Sequence, residues 1–185
     1  MLRAYKYRIY PTDEQKVLFA KTFGCCRFVY NWALNLKIEA YRQEKRSVAY
    51  KEVQDRLVNE LKKENQWLAE VNSQALLNSI RNLDIAYKNF FRDTHAVGFP
   101  RFKSRKNRQS FQCPQHCSVD FAKGTITIPK AKDIPAVLHR GFKGTVKTVT
   151  VSMTPSGRYF ASILVDTAIQ EQKTSEPVHD TAIGI

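Results

Sequence analysis

No apolar run in this sequence approaches the roughly 20 residues of a membrane-spanning helix. The opening residues, Met1-Leu2-Arg3-Ala4-Tyr5-Lys6, lack the long apolar core of a signal peptide. Secretion and membrane anchorage are therefore not expected, and the chain reads as cytosolic. Cysteine is scarce, with four residues (Cys25, Cys26, Cys113 and Cys117), and in a reducing compartment these are expected as thiols rather than disulfides. A glycine-rich phosphate loop is absent. Acidic residues are the largest shortage: 17 stand against 30 lysines and arginines, leaving a net charge of +13. That excess opposes compaction and points to a polyanionic partner, nucleic acid ahead of an acidic membrane surface. What is present in normal measure is apolar content, 43% of 185 residues, enough for one compact domain or two small ones.

The charge is concentrated in residues 98–111, Gly-Phe-Pro-Arg-Phe-Lys-Ser-Arg-Lys-Asn-Arg-Gln-Ser-Phe. Arg101, Lys103, Arg105, Lys106 and Arg108 have no carboxylate among them, and Phe99, Phe102 and Phe111 are interleaved with them. Cations neutralise phosphates and aromatic faces stack on bases. A solvated basic loop with its phenylalanines tucked into a core is the competing reading. Gly98 and Pro100 mark a break in regular structure ahead of it.

Residues 2–10 alternate as a strand, with Tyr5, Tyr7 and Ile9 on one face and Lys6 and Arg8 on the other. Pro11 stops it, and Thr12 with Gln15 forms a capping box for a first helix carrying Val17, Leu18 and Phe19. Gly24 is expected to end that helix. A second helix then runs from Cys25 to residues 39–44 and turns Phe28, Val29, Trp32 and Leu36 inward. Helix, glycine, helix suggests a helix-turn-helix in which Arg27, Asn31 and Lys37 could read a groove, although plain helix packing gives the same pattern. Ser47 caps a third helix through Glu64, with Val53, Leu57 and Leu61 buried, and Trp67-Leu68 forms a hinge. Asn72 or Ser73 starts a fourth helix that ends near Arg92. It carries a stripe of Leu76, Leu77, Ile80, Leu83, Tyr87, Phe90 and Phe91, with Arg81, Lys88 and Arg92 along its flank. A basic helix edge that leads into a basic loop makes a track that a phosphate backbone can follow.

The second half is β-like. Residues 119–121 and 125–129 are joined through Lys123-Gly124, residues 134–138 are ambiguous, and residues 145–153 and 158–165 flank the turn Thr154-Pro155-Ser156-Gly157. The first strand has no local partner and is expected to pair here, which makes the helices an insertion. Residues 168–180 read as a linker and 181–185 as the start of a further buried segment, so Ile185 reads as a truncation point. Cys113, His116 and Cys117 crowd into five residues without a second cysteine pair, a poor tetrahedral metal site. Free thiols are the expected reading, with a thiol–histidine nucleophile left open. Cys25 and Cys26 are expected to be buried, and Asp13 and Glu14 to favour a helix dipole rather than catalyse.

Tyr7-Arg8-Ile9-Tyr10-Pro11-Thr12 with Gln15, followed by Phe23-Gly24-Cys25-Cys26-Arg27-Phe28-Val29-Tyr30-Asn31-Trp32-Ala33-Leu34, resembles the N-terminal motif of the TnpB (OrfB) proteins of bacterial and archaeal insertion sequences. Trp67-Leu68, Gln74-Ala75-Leu76, Leu83, Ala86-Tyr87-Lys88-Asn89-Phe90-Phe91 and Phe99-Pro100-Arg101-Phe102-Lys103-Ser104 continue the match in order, across essentially the whole chain. The resemblance implies an RNA-guided DNA endonuclease of cytoplasmic, nucleoid-associated location. It implies an α+β fold in which a small antiparallel wedge-like β-barrel (residues 1–11 and 94–167) carries an inserted helical recognition lobe (residues 12–93). Guide RNA and target DNA are the implied partners, with base pairing reading the sequence and the protein reading shape and a short duplex tag. The nucleic-acid-binding residues expected on this basis are Arg3, Lys6, Arg8, Arg27, Asn31, Arg81, Lys88, Arg92, Phe99, Arg101, Phe102, Lys103, Arg105, Lys106 and Arg108.

The chain departs from the family where the chemistry begins. Ile183-Gly184-Ile185 stands where a RuvC-like nuclease strand leads to its first catalytic aspartate, and the sequence stops there. Carboxylates that hold paired divalent metals around the scissile phosphate are required for such cleavage. None is expected on this chain, so cleavage by it is not expected. Divalent metal and zinc are expected in a missing C-terminal part, which a separate gene could supply. A non-cleaving helix-turn-helix DNA-binding regulator and a degraded, non-functional fragment are the alternatives.

Overall fold

The alternation at the N-terminus becomes strand β1 (Leu2–Ile9), which buries Tyr7 and Ile9 and leaves Lys6 exposed. A computed structural model describes residues 1–167, so the expected linker and the apolar run at 181–185 lie outside the described residues. Thr12 caps α1 (Asp13–Glu44) with both halves of the capping box in place, and the Gln15 amide also donates to Lys132 C=O at 2.8 Å.

The expected break at Gly24 is absent: α1 is one helix of 32 residues. Phe19, Phe23, Cys26, Tyr30 and Ala33 form a buried stripe at three- to four-residue spacing that passes Gly24 without a change of phase. A helical glycine costs about 1 kcal/mol relative to alanine, whereas each large apolar side chain buried beside it returns roughly 1.5–3 kcal/mol. The inward face also differs from expectation. Val29, Tyr30, Ala33 and Leu34 are buried, Trp32 and Leu36 are half-buried, and Phe28 and Val17 are exposed.

Helix α2 (Tyr50–Arg56) has Ala49 rather than Ser47 at its N-cap. It continues through a π-helical turn (Leu57–Leu61) into α3 (Lys62–Glu64), with Val53, Leu57 and Leu61 buried. A 3-10 turn (Gln66–Glu70) buries Leu68 and leaves Trp67 edge-on to Phe28. Asn72 caps α4 (Ser73–Arg92). Its stripe is buried at Leu76, Ile80 and Leu83 and opens toward the C-terminal end, where Phe91 is 71% exposed.

The remaining strands are β2 (Gln109–Cys113), β3 (Ser118–Asp120), β4 (Thr125–Ile128), β5 (Ala131–Val137), β6 (Thr145–Met153) and β7 (Tyr159–Asp166). They join β1 in an antiparallel sheet ordered β2-β6-β7-β1-β5-β4-β3. The first strand thus sits between two late ones and the helices are inserted between β1 and β2, as expected. Residues 134–138, ambiguous in sequence, fall for the most part in β5, which forms in spite of Pro135. Phe111 belongs not to the basic loop but to β2, where it is buried against Phe19 and Phe23 of α1. Among the described residues the end strands β2 and β3 are not paired to each other, so the ladder is an open sheet and not a closed barrel.

Candidate nucleic-acid interface

The basic loop, residues 98–108, is irregular but held at several points. Asn31 on α1 clasps the backbone of Lys103: its carbonyl accepts from Lys103 N–H at 2.7 Å, and its amide donates to Lys103 C=O at 3.0 Å. The Lys103 side chain is exposed overall, yet its ammonium lies 4.1 Å from the Tyr30 ring centre, and the resulting desolvation lowers its pKa. Arg27 donates to Gln109 Oε1 at 2.8 Å, and the Gln109 amide reaches the carbonyls of Ser104, Arg105 and Asn107. Phe99 fits edge-on between Tyr87 and Phe90 of α4, at 5.4 Å from each. Arg27, Asn31, Phe99 and Lys103 therefore shape the loop. Arg101, Phe102, Arg105 and Lys106 are left on its surface, with Phe102 54% exposed.

Arg108 connects the loop to the sheet by donating to Ser152 Oγ at 3.1 Å. Strand register then sets out two rows on one face of β1, β7, β6 and β2. Arg8, Phe160, Ser152 and Ser110 are successive partners, and so are Lys6, Ser162, Thr150 and Gln112. Lys6 Nζ lies 4.6 Å and the Arg8 guanidinium 5.2 Å from the Phe160 ring centre. Arg8 Nε is buried with no hydrogen-bond partner among the described residues. At the far end Gln112 Oε1 accepts from Asn78 and from Asn82 of α4, the latter at 3.1 Å. The face thus carries cations, one ring, hydroxyls and amides.

Four expected cations lie apart from this face. Lys88 pairs with Asp84 at 2.8 Å, and Arg81 and Arg92 are exposed on α4. Arg3 is exposed beside Met1 and lines a cavity with Lys6 and Arg140. Gln109, Gln112, Asn78, Asn82, Ser152 and Phe160 were not singled out from the sequence. The alternation of Thr148, Thr150 and Ser152 with valines announces a polar face, but the partners across it emerge only from the register. The four cysteines are free. Burial pushes the Cys26 thiol up to about 12, and the hydrogen-bonded Cys117 thiol, with burial, raises Cys113.

The fold is thus a sheet inset with helices, with one face rich in cations and hydroxyls. Comparison with known proteins shows what the chain is similar to. The helix-turn-helix domain of the OrfB type (HTH_OrfB_IS605) matches residues 1–46, which here fold as β1, α1 and its cap. A Streptomyces pristinaespiralis protein named "Putative RNA-guided DNA endonuclease" is 36% identical over 189 residues, covering 99% of this chain and 45% of its own length. Escherichia coli (strain K12) InsQ, of the same name, is 35% identical over 182 residues, covering 98% of this chain and 43% of its own. The virulence protein VsdF of Salmonella dublin is 35% identical over 116 residues, 58% of this chain and 98% of VsdF. The chain belongs to the OrfB (TnpB) family. It spans about 45% of the length of the two endonuclease-named relatives. No helix among the described residues is long and apolar enough to cross a membrane.

Proposed function

We propose that this chain is the nucleic-acid-binding part of an RNA-guided DNA endonuclease of a mobile element, holding guide RNA and target DNA without cutting. One observation carries the reading. Arg108 bonded to Ser152 joins the exposed cations of the loop to the row of Phe160 and Arg8, giving one continuous positive path. The buried Arg8 Nε adds support, because an unsatisfied buried donor costs about 1–3 kcal/mol that an anionic acceptor would recover. In this reading residues 1–11 and 94–167 form the wedge-like part, an open sheet rather than a closed barrel, and residues 12–93 the recognition lobe. Arg101, Arg105, Lys106, Arg108, Lys6 and Arg8 meet phosphates, while Phe102 and Phe160 offer faces to bases. Arg3, Arg81, Lys88 and Arg92 make outlying contacts. Any divalent metal, zinc and cutting carboxylates would lie outside the residues that this chain shares with the two endonuclease-named relatives.

Co-purification tests the proposal. The chain is expressed with its flanking genomic DNA, recovered, and its bound RNA sequenced. Enrichment of one structured RNA from the element supports guide binding. Recovery of bulk RNA that washes off at moderate salt refutes it, because a net charge of +13 alone accounts for that much.

A further inference from the structure

β1 has a backbone edge whose N–H and C=O groups the proposed nucleic-acid path leaves unused, although the side chains of Arg3 and Lys6 border both. On its β5 side it is paired at Arg8 and Ile9 alone, with Val137 and Ala136 as partners. On the β7 side it is paired along its full length. In an antiparallel strand the N–H and C=O of one residue point to the same side, and successive residues alternate. Tyr10 N–H donates to Pro135 C=O at 2.8 Å on the β5 side, whereas Met1 C=O accepts from Thr167 N–H at 2.9 Å on the β7 side. Even-numbered residues therefore face the β5 side. Ala4 and Lys6 turn their N–H and C=O groups to a stretch where no described residue pairs with them, and both residues are exposed. A cavity of about 560 Å³ runs along this stretch, lined by residues 3–7, His139 and Arg140. The Tyr7 hydroxyl fixes its far wall by donating to Arg140 C=O at 2.6 Å. Arg3, Lys6 and Arg140 make the rim cationic, and no carboxylate lines it.

We infer that this edge docks an extended acidic peptide segment of a protein partner, which adds to the sheet beside residues 3–7. The backbone chemistry selects peptide over nucleic acid. A phosphate backbone brings acceptors alone and would set them against the carbonyls of Ala4 and Lys6, whereas a peptide strand brings donors and acceptors in alternation. The charges select the sign. Edge cations are a common guard against self-pairing, and a second copy would bring Arg3 and Lys6 against the same residues. An acidic strand turns that repulsion into attraction.

The test uses a fluorescein-labelled eight-residue peptide alternating glutamate and valine. Two relatives of it serve as controls, one with lysine in place of glutamate and one with alternate amides N-methylated. Binding is read by anisotropy, and amide exchange at Ala4 and Lys6 is followed by NMR. The glutamate peptide is expected to bind and to slow exchange at both amides at least about fivefold. Ala4→Pro is expected to weaken binding about tenfold or more with Tm unchanged, since the lost N–H lies outside the ladder. The N-methylated peptide is expected to fail equally, so the outcome does not hang on the folding of one variant. Equal binding of the lysine or N-methylated peptide overturns the proposal, as do unprotected amides at saturation. Dimerisation without peptide that protects Ala4 and Lys6 assigns the edge to a second copy and overturns it. Protection by polyuridylate but not by the peptide assigns it to nucleic acid, with the same consequence.

Discussion

Removing the Asn31 side chain separates shaping the loop from touching its ligand. Asn31→Ala deletes two hydrogen bonds to the backbone of Lys103, at 2.7 and 3.0 Å. A net hydrogen bond is worth about 0.5–1.5 kcal/mol, and both of these are solvent-exposed, so about 1–2 kcal/mol of local anchoring is lost. The Lys103 ammonium over Tyr30 and the bridge from Arg27 to Gln109 remain, so the loop loosens without detaching. If binding requires the held loop, that cost appears in affinity as a factor of about 5–30. The dependence of log K on log salt should keep its slope, because no phosphate contact is removed. Fluorescence titrations of a structured RNA at four salt concentrations give both quantities, and hydrogen exchange at the Lys103 amide reports the anchoring directly. A slope lowered by about one with unchanged Lys103 exchange would show that Asn31 meets a phosphate itself, and the clasp argument would fail.

The other expectations are briefer. Arg101→Ala with Arg105→Ala should lower the same salt slope by about two, and an unchanged slope would remove the loop from the footprint. Gly24→Ala should stabilise by about 1 kcal/mol, a rise of about 2–4 °C in Tm, because Gly24 is helical and no atom lies within 4 Å of an added Cβ; a fall would restore a turn at that position. Stability should decline at alkaline pH. The folded Cys26 thiol titrates at about 12 while an unfolded thiol titrates near about 8.5, so its contribution is complete below that lower value and is lost as pH rises toward the upper one. Tyr7 and Tyr30, raised by burial, act with the same sign. A urea midpoint that stays constant from pH 8 to pH 10.5 would refute this. Gly144→Ala should cost about 2 kcal/mol or more by urea titration, since Gly144 has φ of 142° and an added Cβ would lie 2.3 Å from Asp166 O.

Local chemistry made part of this fold legible. The capping box at Thr12 and Gln15, the α4 stripe through Leu76, Ile80 and Leu83, and the turns at Gly124 and Gly157 are written within a few residues each. The pairing of β1 with late strands followed from elimination, because no nearby strand was available. Gly24 is misleading because one glycine does not break a helix whose periodic buried stripe runs straight through it. β2 was hidden because Phe111 and Cys113 alternate over too short a span beside a run of cations. The interface was half legible. Charges and rings are visible in the sequence, but an amide reads the same whether it clasps a loop or a ligand, and only the fold puts Asn31 beside Lys103. Likewise Arg8 and Arg108 are a hundred residues apart in sequence, and it takes the register of β1, β7 and β6 to bring them to one row.

Placing the first strand in the middle of the sheet gives this protein a particular birth. β1 leaves the ribosome long before its main partner β7, which begins at Tyr159. At about 5–20 residues per second, roughly 8–30 s pass before that partner exists. During that interval α1 and α4 can form on local contacts while Tyr5, Tyr7 and Ile9 wait without a sheet. Docking of the β6–β7 hairpin is then the step that ends the exposure, when Met1 and Thr167 close on each other. The time for which the nascent chain is vulnerable is therefore set by synthesis of β7 and not by the speed of its helices.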